Sequence, residues 1–126
     1  MNDSRAQRLA DFIREEGSEI IARRLKDPRI APMTTITSVT VSGDLSVVKI
    51  YVSVMGDQDA KDATMAALNR AKGFFRAELG KRLSLRHVPE INFVLDESID
   101  RGARILNILS KLSEGQDPAD GGGVSR

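Results

Sequence analysis

Residues 34–54, TTITSVTVSGDLSVVKIYVSV, contain two runs of β-branched side chains separated by a short polar segment. In the second run Val48, Ile50, Val52 and Val54 alternate with other residues, the period of a strand that buries one face. The polar segment, residues 42–44, has a central glycine and the composition of a tight turn. We therefore predict an antiparallel hairpin.

The first run of the hairpin departs from strict alternation. Ile36 is out of phase with Val39 and Val41, so these three side chains cannot share one face of a regular strand. A β-bulge, which inserts one extra residue, would explain the shift, although the alternation alone does not require one.

Helical spacing of apolar residues dominates on both sides of the hairpin. Ser4 is a candidate N-cap for an amphipathic helix of about six turns, which we expect to end before Pro28. Gly17 weakens the middle of that helix by up to about 1 kcal/mol relative to alanine. After the hairpin, Asp57 or Asp59 is the candidate N-cap of a second helix.

The second helix is predicted to break at Gly73, because a new helical spacing begins beyond it. A third strand then follows, with Ile91, Phe93 and Leu95 facing inward. Pro89 stands at its start, where a missing N–H is tolerated. The resulting three-stranded sheet, with helices packed on one face, is a two-layer α+β fold.

The C-terminal part is predicted to contain one more helix and a tail. Residues 99–112 have helical spacing, whereas residues 113–126 are rich in glycine, aspartate and serine and lack an apolar anchor. We therefore predict one domain over residues 1–112 and a disordered tail over residues 113–126.

Composition narrows the class of protein. Hydrophobic residues make up 40% of the 126, which suits a single globular core. The absence of cysteine excludes disulfides, thiol nucleophiles and thiolate metal sites. No signal-peptide pattern occurs, and no apolar run approaches the 18–20 residues, roughly, that span a bilayer. We expect a cytoplasmic protein without membrane contact.

The net charge of +1 conceals an uneven distribution. Between residues 70 and 86 six cations accompany one anion, Glu78. Few acids stand at i±4 positions, so the pattern does not predict intrahelical ion pairs. A solvated helix face and a phosphate-binding surface both fit this segment. Gly73 would let a nucleic-acid backbone approach closely, or would only permit a kink.

Candidate catalytic residues are few. His87 is the only histidine, and a lone histidine at a strand entry does not make a metal site. Asp57, Asp59 and Asp62 match no calcium loop, and acids at a helix start favour the helix dipole in any case. No phosphate-binding glycine loop of a known kind occurs. We expect no enzyme activity, no metal and no cofactor.

Several short motifs in order carry a resemblance to a known family. They are Lys26-Asp27-Pro28-Arg29, Met33-Thr34, Ser42-Gly43-Asp44-Leu45, Ala71-Lys72-Gly73, Arg86 with Val88-Pro89-Glu90-Ile91 and Phe93, and Asp96, Ser98, Gly102 and Arg104. Over about residues 4–112 the sequence resembles bacterial ribosome-binding factor A. The resemblance implies a type-II KH-like fold in which an Ala-x-Gly kink, here Ala71 to Gly73, replaces the Gly-x-x-Gly loop of ordinary KH domains.

The resemblance also implies a function. Family members bind the immature 30S subunit and its 16S rRNA and assist late maturation, including processing of the rRNA 5′ end, notably during cold adaptation. They act with assembly GTPases in the cytoplasm. A monomer is expected. Cleavage itself would be the task of a separate nuclease.

The cations of the basic segment and its surroundings are the predicted RNA contacts. The candidate residues are Arg70, Lys72, Gly73, Arg76, Lys81, Arg82, Arg86, Lys26, Arg29, Arg101 and Arg104. Aromatic residues are scarce, so we expect recognition of backbone shape rather than base stacking. Two alternatives remain open: an adaptor that meets an acidic protein partner, and a small nuclease that uses the acids of residues 57–62.

Overall fold

The computed structural model describes residues 2–84, 87–98 and 106–112, with the backbone alone for residues 2–4. Residues 1–96 belong to one compact unit and residues 97–126 to a second. The first unit contains α1 (Asn2–Glu19), a π-helical turn (Ile20–Arg24), β1 (Thr35–Val41), β2 (Val47–Ser53), α2 (Gln58–Arg70), α3 (Lys72–Leu83) and β3 (Glu90–Leu95).

The first helix begins and ends differently from the prediction. It begins at Asn2, so Ser4 lies inside the first turn and the predicted N-cap is wrong. At its other end the π-helical turn closes with a bond from the Leu25 N–H to the Ile20 carbonyl (3.0 Å). The wider turn places Ile20 and Ile21 side by side in the core.

The sheet has the order β1-β2-β3 and is mixed. The β1–β2 pair is the predicted antiparallel hairpin, whereas β2 and β3 are parallel. The register shifts between Ile36 and Ser38, which confirms the bulge. Thr37, the extra residue, donates its hydroxyl to Asp96 Oδ2 (2.6 Å). The predicted α+β class and the three-stranded sheet are therefore confirmed.

The two helices after the hairpin are joined at Ala71. Asp57 is the N-cap of α2 and accepts a hydrogen bond from the Ala60 N–H (2.9 Å), as predicted. The break falls at Ala71, whose φ of −88° and ψ of 4° are accessible to any residue. The break therefore falls at the first residue of the predicted Ala71–Gly73 kink, whereas Gly73, where helical spacing alone placed it, lies within the first turn of α3.

The core forms between the helices and one face of the sheet. Phe75 of α3 is fully buried and meets Phe93 of β3 edge-on, with ring centroids 5.2 Å apart. Gly17 of α1 faces Phe75 and Ile36: a Cβ there would lie 3.0 Å from Phe75 Cζ and 3.1 Å from Ile36 Cδ1. The glycine that weakens the helix thus makes room for the largest buried ring.

The second unit is described only in part. Residues 106–112 are helical, in agreement with the predicted last helix, and residues 99–105 of that prediction lie outside the described residues. The predicted tail, residues 113–126, also lies outside them. No helix within the described ranges has the length and apolar character needed to cross a bilayer.

Candidate nucleic-acid interface

The loop after the π-helical turn is held by one carboxylate. Asp27 accepts hydrogen bonds from the Arg29 N–H (2.9 Å) and from Nε and Nη2 of the same residue (2.9 and 2.7 Å). These bonds, mainly those from the side chain, lower the pKa of Asp27 from 3.8 to about 2. Buried Thr64 of α2 anchors the loop through the Ala31 N–H (2.9 Å).

The end of α2 lies beside this loop. The positive charge of Arg70, the last residue of α2, contributes to the lowered pKa of Asp27. The structure therefore brings Arg70 together with Lys26 and Arg29, which precede it by about forty residues in sequence. Of the three, Arg29 is paired with Asp27, whereas Lys26 and Arg70 have no hydrogen bond or ion pair to any described residue.

The first turn of α3 follows Arg70 almost directly in the chain. It has no side-chain N-cap and no acid. Lys72 is half-buried and has no ion pair within the described ranges, and the Cβ position of exposed Gly73 has no atom within 4 Å. We call Lys26, Arg29, Arg70, Lys72 and Gly73 the open basic surface, because backbone and charge are both accessible there.

Arg76 has a different environment. Its Nε donates to the Pro89 carbonyl (3.0 Å) and its Nη2 to the Val88 carbonyl (2.7 Å). The guanidinium therefore fastens α3 to the segment that enters β3. The sequence pattern could not reveal this contact, because main-chain carbonyls are acceptors that every residue carries.

Arg82 and Lys81 belong to an ionic cluster around Glu78, whose carboxylate is almost completely buried. Glu78 lies 3.5 Å from Lys81, 3.8 Å from Arg82 and 3.7 Å from Arg24 of the π-helical turn. The expectation that this segment lacks intrahelical ion pairs is therefore wrong.

Arg82 also joins α3 to α1. Its Nη1 donates to Glu16 Oε1 (2.9 Å) and to Glu19. These hydrogen bonds raise the pKa of Arg82 and lower that of Glu19. Ion pairs between charged side chains thus hold α3 against α1. Because Arg82 already pairs with Glu16, Glu19 and Glu78, it has few N–H donors left for a phosphate.

The predicted RNA contacts consequently divide into three sets. Lys26, Arg29, Arg70, Lys72 and Gly73 form the open basic surface. Arg76, Lys81 and Arg82 contact other protein groups. The remaining candidates, Arg86, Arg101 and Arg104, lie outside the described residues.

The acids of residues 57–62 serve the start of α2. Asp57 caps the helix, and Asp62 accepts a hydrogen bond from Gln58 Nε2 (2.8 Å). Among the described residues no three histidine or acidic side chains are grouped so as to hold a metal ion. His87 is exposed.

The lowered pKa of Asp27 predicts a pH dependence. Because its folded pKa of about 2 is below the ordinary 3.8, the carboxylate stabilises the fold above about pH 4, and this contribution is lost as the pH falls toward 2. Urea unfolding of wild type and Asp27→Asn should therefore differ most near pH 5 and converge toward pH 2. In the Arg29→Ala variant, the pKa of Asp27 measured by NMR should return toward 3.8. A constant difference between wild type and Asp27→Asn at every pH would contradict this account.

Comparison with known proteins identifies the family. The family model of ribosome-binding factor A matches residues 5–109. The chain belongs to the ribosome-binding factor A family. A ribosome-binding factor A of Dictyoglomus thermophilum is 54% identical over 108 residues, 86% of this chain and 90% of the relative. That of Brevibacillus brevis is 45% identical over 113 residues, 90% of this chain and 93% of the relative.

Solved structures of the family share the fold. The crystal structure of ribosome-binding factor A from Thermus thermophilus aligns with a TM-score of 0.63 at 28% identity, over 71% of this chain and 94% of the other. A homology model of the Thermus thermophilus protein, fitted into the cryo-EM map of a 30S–RbfA complex, aligns with a TM-score of 0.60 at 27% identity, over 70% and 91%. The fold predicted from the resemblance is therefore confirmed.

Proposed function

We propose that this protein binds the immature 30S subunit through 16S rRNA and assists late maturation, including formation of the rRNA 5′ end, without cutting RNA itself. Membership of the ribosome-binding factor A family supports ribosome binding. The relative from Thermus thermophilus has been placed in a 30S complex, which supports the small subunit as the target.

The observation that carries the RNA proposal is the open basic surface. Lys26, Arg70 and Lys72 have no hydrogen bond or ion pair to the described residues, so their charges are available to an external anion. Beside them Gly73 leaves the start of α3 uncovered. Helix N–H groups and unpaired cations around one exposed patch are the chemistry that binds phosphate.

The paired cations have another role in this proposal. Arg76 and Arg82 fix α3 against β3 and α1, so they set the position of the surface that Lys72 and Gly73 present. Arg29 has a structural role and is also a proposed RNA contact, because its guanidinium pairs with Asp27 while its side chain is still half exposed. Arg86, Arg101 and Arg104 remain proposed contacts.

Recognition should depend on the shape of the rRNA backbone. Among the described residues Phe74 is the one large exposed aromatic side chain, and Arg24 already lies over its ring at 5.9 Å. Base stacking in the manner of sheet-based RNA-binding domains needs several such rings. Positioning through phosphates would let the protein hold rRNA geometry while a separate nuclease cuts, and assembly GTPases would act on the same complex.

Co-sedimentation with ribosomal particles tests the proposal. The protein should pellet with free 30S subunits, and more strongly with immature ones, but not with 70S ribosomes. Its affinity should fall with salt, with a log–log slope of about −0.7 to −0.9 for each phosphate contacted. Equal binding to 30S and 70S particles, or an affinity that does not change with salt, would refute the RNA-binding model.

A further inference from the structure

A groove beside the N-terminal half of α1 is distinct from the open basic surface, although its residue His87 also lines a neighbouring pocket with Gly73. It has a volume of about 370 Å³ and shares no lining residue with that surface. Among the described residues its walls are apolar and half-buried or buried, and three exposed ionisable side chains also line it. The apolar residues are Leu9, Phe12, Leu45, Leu83 and Pro89, and the exposed ones are Arg5, Arg8 and His87.

One wall of the groove is a turn that is fixed by its own hydrogen bonds. Ser42 Oγ accepts from the Val47 N–H (3.0 Å) and donates to Asp44 Oδ1 (2.8 Å), which also accepts from the Ser46 hydroxyl (2.7 Å). This network holds Leu45 at a φ of +63°, a left-handed conformation that leucine rarely adopts. The backbone of Leu45 is therefore fixed where its side chain lines the groove.

The charged side chains among the described lining residues are both basic. Arg5 and Arg8 are three residues apart on α1, so they lie on the same side of the helix. Neither makes a hydrogen bond or ion pair with the described residues, and none of the described residues that line the groove is acidic. Guanidinium groups bind carboxylates through paired hydrogen bonds, so this arrangement suits an acidic ligand with an apolar part.

We propose that this groove binds an acidic segment of a partner protein. One large apolar side chain of the segment would pack against Leu9, Phe12, Leu45 and Leu83, and flanking aspartates or glutamates would pair with Arg5 and Arg8. The inference goes beyond the proposed RNA contacts, because it uses other residues and another class of partner.

An RNA base fits the groove less well. A buried base needs hydrogen-bond partners on its polar edges, and unpaired edges are costly. The apolar walls offer no partner to the polar edges of a base, and the described polar side chains of the lining, Arg5, Arg8 and His87, are exposed. A base inserted between the apolar walls would therefore lose its bonds to water without replacement. An aliphatic or phenyl side chain has no such groups to satisfy.

The test uses a fluorescein-labelled peptide in which glutamates and aspartates flank a single leucine. In methyl NMR of the full chain, this peptide should shift the signals of Leu9, Leu45 and Leu83. By fluorescence anisotropy, Arg5→Glu with Arg8→Glu should weaken its binding about tenfold or more, and Arg14→Glu, a reversal on α1 outside the groove, should not. Leu45→Asn should also weaken it, because asparagine tolerates the left-handed backbone but removes the apolar wall.

Altered peptides and an oligonucleotide distinguish an acidic peptide from other ligands of the groove. A peptide with glycine in place of leucine, and one with amides in place of carboxylates, should each bind more weakly. No shift at Leu9, Leu45 and Leu83 at millimolar peptide overturns the proposal, as does a single-stranded oligonucleotide that shifts these signals in place of the peptide. The Arg5→Glu, Arg8→Glu variant should still sediment with 30S subunits, so failure of the groove proposal and failure of rRNA binding are distinguishable.

Discussion

Phe75→Ala should lower the free energy of unfolding by about 3–5 kcal/mol, the usual cost of removing a fully buried phenyl ring. The ring packs on Gly17 of α1, meets Phe93 of β3 edge-on and belongs to the same core cluster as Ile36 of β1. Gly17 has no side chain with which to fill the space that alanine would leave. Because a domain of this size is stable by about 5–15 kcal/mol, the variant should be close to unfolding at growth temperature.

The adjacent phenylalanine supplies a matched control. Phe74 has the same side chain on the same helix, but 42% of it is exposed. Among the described residues the guanidinium of Arg24 lies over its ring, so Phe74→Ala should cost about 1 kcal/mol or less. Urea unfolding followed by circular dichroism measures both variants. Equal losses for Phe74→Ala and Phe75→Ala would show that the core is not centred on Phe75.

Arg70→Glu combined with Lys72→Glu should weaken binding to 30S subunits by about 10- to 100-fold at moderate salt, since two phosphate contacts become two repulsions. The magnitude of the log–log salt slope should fall by about 1.4–1.8. Neither side chain has an ion pair to a described residue, so the fold should persist, with unchanged circular dichroism.

The control for this prediction reverses two charges elsewhere. Arg14→Glu with Lys49→Glu makes the same change of net charge at exposed positions on α1 and β2. If rRNA contacts the open basic surface, this variant should bind 30S subunits almost as tightly as wild type. Equal weakening in both double variants would mean that binding follows net charge, and the surface assignment would fail.

Local signals in the sequence were sufficient for most of the fold. The alternation of Val48, Ile50 and Val52 predicts the hairpin strand because side chains of a strand point to opposite faces in turn. The phase shift at Ile36 suggested the bulge that the structure contains. Asp57 was a predictable N-cap since its side chain bonds to an N–H only three residues away.

The errors arose where the deciding contact comes from elsewhere in the chain. The small number of acids near the basic segment did not reveal that one buried carboxylate, Glu78, lies within ion-pair distance of three cations. One of these cations, Arg24, belongs to the π-helical turn and not to α3. Arg76 fastens α3 by donating to the main-chain carbonyls of Val88 and Pro89. Every residue carries such a carbonyl, so the sequence does not indicate this contact. Helical spacing alone placed the helix break at Gly73 and not at Ala71, because the backbone conformation of Ala71 needs no glycine.

The parallel pairing of β2 with β3 has a consequence for how the chain folds. Val47 and Glu90 are neighbours in the sheet, and both α2 and α3 lie between them in sequence. The hairpin and the helices can form from local contacts, but the sheet closes only after most of the unit has been synthesised. Until then Phe75 lacks Phe93, and one edge of β2 has no partner strand. A nascent chain that stops short of β3 therefore exposes an open strand edge and an aromatic core, the features that make folding intermediates aggregate.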